Sequence, residues 1–341
     1  MSDDDFSADA ATPPAPPAGT PATGDDAAGT DDEASRLVLL TGGTGLVGRA
    51  ILERLLDSGS AVRALVAPGE SARYLPGAET ISGDLRAPET LGDALRGVDV
   101  VVSAARISRE DRAAGRTFSG VFAEGTRHLV AAAKAAGVGR LVHVSSLGAD
   151  AKAPSAELRM RAAGDEAVAA SGMEHVILRA SMLFGGGTRL ERMLLRWARG
   201  RMPVTLVPGQ AEMTLQPVSV GDLAEAAVRA AEGRTGPGNY ELAGPQRMTL
   251  IDLIEAAMDA AGRHPLRVHV PMPLLVALAP VLEALPTGAL PRPAELAHLR
   301  AVWTSGRSRC EDLIGRSPEK IGAWVEGRFA RAGAPAPAAA Q

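Results

Sequence analysis

Leu37-Val38-Leu39-Leu40-Thr41-Gly42-Gly43-Thr44-Gly45-Leu46-Val47-Gly48 decides the fold of this 341-residue chain. Leu37 to Leu40 are a short, wholly apolar run, which predicts a strand covered on both faces. A helical pattern follows the glycines, Arg49 to Ser58, with Ile51, Leu52, Leu55 and Leu56 on one face and Gly59 as its stop. Between strand and helix, Gly42 lets the chain leave in a tight turn, and Gly45, without a Cβ, lets backbone approach a bound group. Gly48 lets the helix pack closely on the sheet. Free N–H groups and the positive dipole end at the helix start suit phosphates. In this strand–turn–helix context the spacing reads as a dinucleotide loop, with Gly42, Thr44, Gly45, Leu46, Val47 and Gly48 as its contacts.

Outward from the loop, strands are expected at Ala61–Val66, Glu79–Ser82, Val98–Val102, Arg140–Val144 and His175–Leu178. Helices are expected at Glu89–Arg96, Glu124–Ala136 and Glu157–Ala170. This alternation predicts an α/β fold, a Rossmann-type doubly wound parallel sheet. After Gly185 the rhythm loosens. Thr188–Arg199 reads as a helix, and strands at Gln216–Val220 and Asn239–Ala243 flank a helix at Asp222–Glu232. From Thr249 the pattern is mostly helical and interrupted by proline. The expected organisation is a disordered acidic tail (1–35), a nucleotide-binding domain (36–250, with 186–215 reaching into a smaller lobe), a helical C-terminal lobe (251–331) and a flexible tail (332–341).

Charge is uneven. Residues 1–35 hold nine acids and no Lys or Arg, too few apolar groups to offset ordering entropy. The rest is mildly basic without a Lys/Arg block, which argues against a nucleic-acid partner. The single cysteine, Cys310, allows no intrachain disulfide and suits a reducing, cytoplasmic setting. The acidic N-terminus does not read as a secretory signal, and no apolar run reaches the ~20 residues of a membrane span. No metal is expected. Leu274 to Leu285 is an apolar helical pattern with two readings: core, or a surface for an apolar small molecule, a protein partner or peripheral membrane contact.

The tip of the second strand, Val66-Ala67-Pro68, carries neither the acid that would hold the ribose hydroxyl of NAD nor an Arg for the NADP phosphate. Arg63 and Arg73 nearby tilt the expectation slightly toward NADP. Asp84 and Leu85, after the third strand, are placed to meet an adenine, Asp84 accepting from its amine and Leu85 covering its face; the competing role for Asp84 is a helix cap. Ser103-Ala104-Ala105, after the fourth strand, are small enough for a cofactor to lie against Ala104 and Ala105.

Seven ordered motifs now resemble the extended, atypical branch of the short-chain dehydrogenase/reductase superfamily: TGGTGLVG (41–48), SGDL (82–85), EGTRHLVAAAKAAGV (124–138), RLVHVSSLGAD (140–150), ILRASMLFG (177–185), QPVSVGDLAEA (216–226) and YELAGP (240–245). The chain is similar to members related to the NAD(P)-binding accessory subunit of respiratory complex I. The resemblance implies an NAD(P) site over the strand ends, with a smaller lobe at the nicotinamide end. In catalytic members a Tyr four residues before a Lys, with a Ser, moves the substrate proton. Here Ser146 keeps the Ser position, but Glu157 stands at the Tyr position and Arg161 at the Lys position, and Phe122 replaces an expected Asn. The only tyrosines, Tyr74 and Tyr240, begin no Tyr-x-x-x-Lys spacing.

A carboxylate with a reference pKa near ~4 is a poor proton donor at neutral pH. Arg is never deprotonated and offers a planar fork where Lys offers a point charge. Glu157 and Arg161 are i,i+4, which predicts an ion pair on the helix surface. Ser145 and Ser146 also read as strand-end hydroxyls satisfying backbone, His143 as a core histidine, and Arg179 as structural. The expectation is therefore an NAD(P)-binding protein with weak or no Tyr/Lys-type redox activity, using the nucleotide structurally or as a sensor. The alternative is an oxidoreductase or a nucleotide-sugar epimerase/dehydratase with a rearranged site.

Overall fold

The computed structural model describes residues 36–199, 204–208, 213–264, 266–271, 274, 277 and 301–330. The two expected tails and most of the apolar segment 274–285 lie outside these residues.

β1 (Leu37–Thr41) leads into α1 (Leu46–Asp57), followed by β2 (Ala61–Val66), β3 (Glu79–Ser82), α2 (Leu91–Ala94) and β4 (Val100–Ser103). A widened π-helical turn, Ser119–Glu124, runs into α3 (Gly125–Ala135), and β5 (Arg140–Ser146), α4 (Ala156–Ala169) and β6 (Glu174–Ala180) follow. Next come β7 (Leu183–Phe184), α5 (Arg189–Arg199), β8 (Val204–Pro208), β9 (Thr214–Leu215), β10 (Val218–Ser219), α6 (Val220–Ala231) and β11 (Gly238–Leu242). The remaining elements are β12 (Met248–Thr249), α7 (Leu250–Ala260), β13 (Leu266–Val270), α8 (Cys310–Ile314) and α9 (Ile321–Phe329).

Seven strands form one parallel sheet in the order β3-β2-β1-β4-β5-β6-β11. The expected doubly wound sheet is present, and the run near Asn239 supplies its seventh strand. Side chains on successive strand positions enter opposite faces. Val38, Leu40, Val100, Val102 and Val142 join a core with α1, α6 and α8. Leu39, Val101 and Leu141 join a second core with α2, α3 and α4. Each central strand is thus buried on both sides, which is why it reads as an unbroken apolar run. A third core gathers α5, α7 and α9 around Phe184, Trp197 and Phe329. Aromatics are scarce in the chain, and several of them concentrate here.

Two expected elements come out differently. Glu89–Arg96 is a tight 3-10 turn at Pro88–Thr90 followed by a single α-turn, with the Thr90 hydroxyl donating to the Ala87 carbonyl at 2.7 Å. Of the strand expected over Gln216–Val220 only β10 forms, with β9 just before it. Pro217 has no N–H for a ladder, and Val220 already belongs to α6, whose start is capped by Ser219 Oγ accepting from the Asp222 N–H at 2.9 Å. Helix α1 begins at Leu46, three residues earlier than its apolar periodicity suggests. Among the described residues no helix is long and apolar enough to cross a membrane.

Candidate functional site

The sheet order reverses between β1 and β4, which opens a crevice beyond their C-terminal ends. A cleft of about 340 Å³ occupies it. Gly42, Thr44, Gly45, Leu46, Val47, Gly48, Asp84, Leu85, Ala104 and Ala105 all line this cleft. Ten residues chosen from sequence therefore converge on one concave surface.

The loop geometry explains two of its glycines. Gly42 has φ +72°, and a Cβ there would lie 2.6 Å from the Ala104 carbonyl and from Ala105 backbone. A Cβ on Gly48 would lie 2.1 Å from the Gly42 carbonyl oxygen. Gly48 thus closes the helix onto its own loop, whereas close packing on the sheet was the expectation. At the start of α1, Gly45 extends away from the helix, no side chain caps it, and no acid occupies the first turn. Unmatched N–H groups and the positive dipole end remain for an anion. These residues fit a dinucleotide pyrophosphate.

At the other end of the cleft, Arg86 grips Asp84, with Nη2 to Oδ2 at 2.5 Å and its backbone N–H donating to Oδ1 at 2.9 Å. Burial raises the Asp84 carboxyl, but the hydrogen bonds and charge of Arg86 outweigh it and hold the group below the usual carboxylate range. The helix-cap role for Asp84 is not what forms.

The arginines that favoured NADP do not support it in the same way. Arg63 pairs with Glu79 at 2.9 Å and donates to the carbonyls of Ala94 and Arg96, so it is held at the sheet edge. Arg73 is not part of the cleft lining. A carboxylate, Glu70, lies two residues beyond the Val66-Ala67-Pro68 tip. A turn closed by the Glu70 N–H to the Ala67 carbonyl (3.0 Å) folds Glu70 back to the phosphate loop, where Thr44 Oγ1 donates to Glu70 Oε2 at 2.8 Å. The Pro68-Gly69 pair was the signal for that turn.

A smaller inner chamber of about 70 Å³ adjoins the cleft and shares Val47, Ala104, Ala105, Arg106 and Arg189 with it. Ser146, Glu157 and Arg161 all line it, so the three positional equivalents of the catalytic group do meet. Their ion pair is not on a helix surface. Glu157 is 4% and Arg161 7% exposed, with Arg161 Nε 3.3 Å from Glu157 Oε1. Arg189, from α5, reaches Glu157 Oε2 at 3.4 Å. The Arg161 guanidinium lies 4.1 Å from the ring centre of Phe122, so two departures from the superfamily pattern pack on each other. Ser145 Oγ is buried and has no hydrogen-bond partner among the described residues, so it does not satisfy backbone.

His143 lies behind this wall, its Nε2 3.6 Å from Asp165 Oδ1, and Arg179 donates to Asp165 Oδ2 at 2.7 Å. Burial pushes the imidazole pKa down, Asp165 opposes the shift, and Arg161 and Arg179 reinforce it. A neutral core histidine results. Tyr240 donates its hydroxyl to the Gly236 carbonyl at 2.9 Å, and Tyr74 belongs to the turn Ala72–Tyr74, so neither stands on α4. No group of three or more His, Cys, Asp or Glu among the described residues could hold a metal.

Known proteins resemble this chain in sequence and in fold. The mitochondrial NADH dehydrogenase (ubiquinone) 1 alpha subcomplex subunit 9 of Mus musculus is 30% identical over 248 residues, covering 69% of this chain and 63% of the subunit. The chain therefore spans less than two thirds of that relative's length. An NAD(P)H azoreductase of Xenophilus azovorans is 29% identical over 67% of this chain and 74% of its own. The crystal structure of an NADPH-dependent quinone oxidoreductase from Escherichia coli, complexed with NADPH, superposes with a TM-score of 0.69. It covers 86% of this chain and 99% of that one at 22% identity, a likeness of fold. Residues 42–232 match the family described as NAD(P)H-binding, a span that starts at the phosphate loop and ends just past α6. With more than half its length inside that match, the chain belongs to the NAD(P)H-binding family, as an atypical member of the short-chain dehydrogenase/reductase type.

Proposed function

We propose that this protein binds NAD(P) without running Tyr-dependent alcohol–ketone redox at an ordinary rate, and that the nucleotide serves it as a structural or sensing ligand. The observation that carries this is Glu157. It stands where the family resemblance puts the proton donor, and it is clamped between Arg161 and Arg189. Both of its carboxylate oxygens face guanidinium groups rather than open space, and no phenol stands in its place. Gly42 to Gly48 would hold the pyrophosphate, Asp84 and Leu85 the adenine, and Ala104 and Ala105 the nicotinamide half. A bound nicotinamide would supply hydride exchange. The wall facing it orients and charges the site but offers no Tyr hydroxyl.

The reading is tested by titrating the full chain with NADH and NADPH, then assaying turnover on carbonyl and quinone panels. Micromolar binding with turnover far below the ~1 s⁻¹ lower end of ordinary enzymes is expected. Turnover at ordinary rates that survives E157A and R161A would sink it.

Glu70 favours NAD over NADP as the partner. A 2′-phosphate beside that carboxylate is repelled, whereas a 2′-hydroxyl can donate to it. NADH should bind several-fold tighter than NADPH, and E70A should narrow the gap; a wild-type preference for NADPH would refute this choice.

A second reading has its own support. Ser146 shares the inner chamber with Glu157 and Arg161, and relatives include an azoreductase and a ketoreductase. An oxidoreductase or epimerase with a rearranged site would lose rate in E157Q while binding nucleotide normally.

A further inference from the structure

Arg106 is the unmatched charge of the inner chamber. It follows β4 in the loop Ala104-Ala105-Arg106 and sits where the cleft and the chamber meet. Among the described residues it makes no hydrogen bond or ion pair, unlike Arg161 and Arg189 beside it. Among the described residues the chamber lining holds three guanidinium groups, Arg106, Arg161 and Arg189, and one carboxylate, Glu157. That carboxylate is already shared by Arg161 and Arg189.

The surroundings register on Arg106 itself. Desolvation pushes its pKa down to about 10, Arg161 adds to the shift, Glu157 opposes it, and Arg189 and Arg192 extend it. The side chain opens to the cleft, and more than a third of its surface is exposed. The group stays charged at neutral pH and within reach of a ligand. Ser145 Oγ, buried and unpartnered on the same wall, offers one more donor. The remaining lining is largely apolar: Val144, Met182, Leu183, Leu190, Leu223 and Trp303.

A small apolar space with a fork of unmatched N–H donors at its mouth is suited to one kind of head group. Guanidinium matches a carboxylate in plane and in pairs of hydrogen bonds. We propose that the inner chamber binds the carboxylate end of a small organic acid, with Arg106 as its fork, Arg189 as a second donor and the apolar wall taking the carbon skeleton. This deepens the nucleotide reading and rests on it for one point, that the acid lies beside the nicotinamide end.

The test is calorimetric titration of the full chain with benzoylformate and with its neutral methyl ester, each with and without saturating NADH. The acid is expected to bind about tenfold or more tighter than the ester, the scale of a charge-assisted pair. R106Q is expected to bring the two close to parity. R106K should keep part of the difference, since charge remains and the fork is lost, and R189Q should reduce it. Equal binding of acid and ester by the wild type overturns the proposal, as does no binding of the acid at millimolar concentration. A ratio left intact in R106Q overturns it too, and if R106Q then weakens NADH, Arg106 belongs to the nucleotide phosphates. Acid selectivity without any NADH binding would sink the nucleotide reading alone; NADH binding without acid selectivity would sink this proposal alone.

Discussion

The outer cleft and the inner chamber share a border and are built on opposite principles. The cleft is floored by main chain and small side chains at the ends of β1 and β4, with Gly42 and Gly48 letting backbone pack against backbone there, and Glu70, Asp84, Arg86 and Arg192 stand around that floor. The chamber sets a few charged groups against an apolar wall, all delivered by parts of the chain far apart in sequence: Arg106, the Ser145-Ser146 strand end, Glu157 and Arg161 on α4, Arg189 on α5, and Trp303. A phosphate held by backbone N–H groups can be encoded in eight consecutive residues. Charge balance belongs to the folded molecule.

That contrast can be broken by mutation. The largest expected effect is in the chamber. E157A leaves Arg161 and Arg189 without their counter-charge in a buried site, and a loss of about 3–5 kcal/mol is expected. Urea unfolding checks it, and a change under ~1 kcal/mol would mean the pair behaves as if solvent-exposed. In the cleft, G48A places a methyl group 2.1 Å from the Gly42 carbonyl. The loop must shift, at a cost of about 2–3 kcal/mol and with loss of NADH binding, read by unfolding and by fluorescence titration. Intact binding would show that the loop tolerates a wider turn. F122L removes the ring beneath Arg161 and is expected to cost about 1–2 kcal/mol from the lost cation–π contact and packing.

The smallest effect is a slope with pH. The folded pKa of His143 lies below its ordinary 6.5, so on acidification the unfolded chain takes the proton first. Stability is then full above about pH 6.5 and declines as the pH falls toward the folded value. Urea midpoints between pH 7.5 and 5.5 should fall in the wild type and flatten in H143Q. Equal slopes in both would remove His143 as the cause.

The same contrast governs what could be read from sequence. The strand–loop–helix of β1 and α1, the alternation of strands and helices and ten of the residues that line the cleft were legible because each depends on neighbours in the chain. Glu70 was missed because a turn at Pro68-Gly69 changes where the chain points. The Glu157–Arg161 spacing correctly indicated a pair, yet spacing cannot report burial: the facing residues, Phe122 and Arg189, lie tens of residues away on other elements. Arg106 showed no pattern of any kind. Its significance is the company it keeps once β4, α4 and α5 are folded together.

Trp303 sets an order of events. The segment that carries it is stitched back to the sheet by Ser181 Oγ donating to the Trp303 carbonyl at 2.8 Å, across 122 residues, and by the Gln216 N–H donating to that same carbonyl at 3.0 Å. Contacts that close such long loops form late. On the ribosome the phosphate loop, β4 and α4 are complete well before residue 303 emerges, so the chamber's final wall arrives after the rest of its lining has been made. In refolding, a Trp303-only reporter (W197F/W324F) is expected to bury later than the helical circular-dichroism signal recovers. Simultaneous recovery would mean that the two regions, unlike in construction, assemble in one cooperative step.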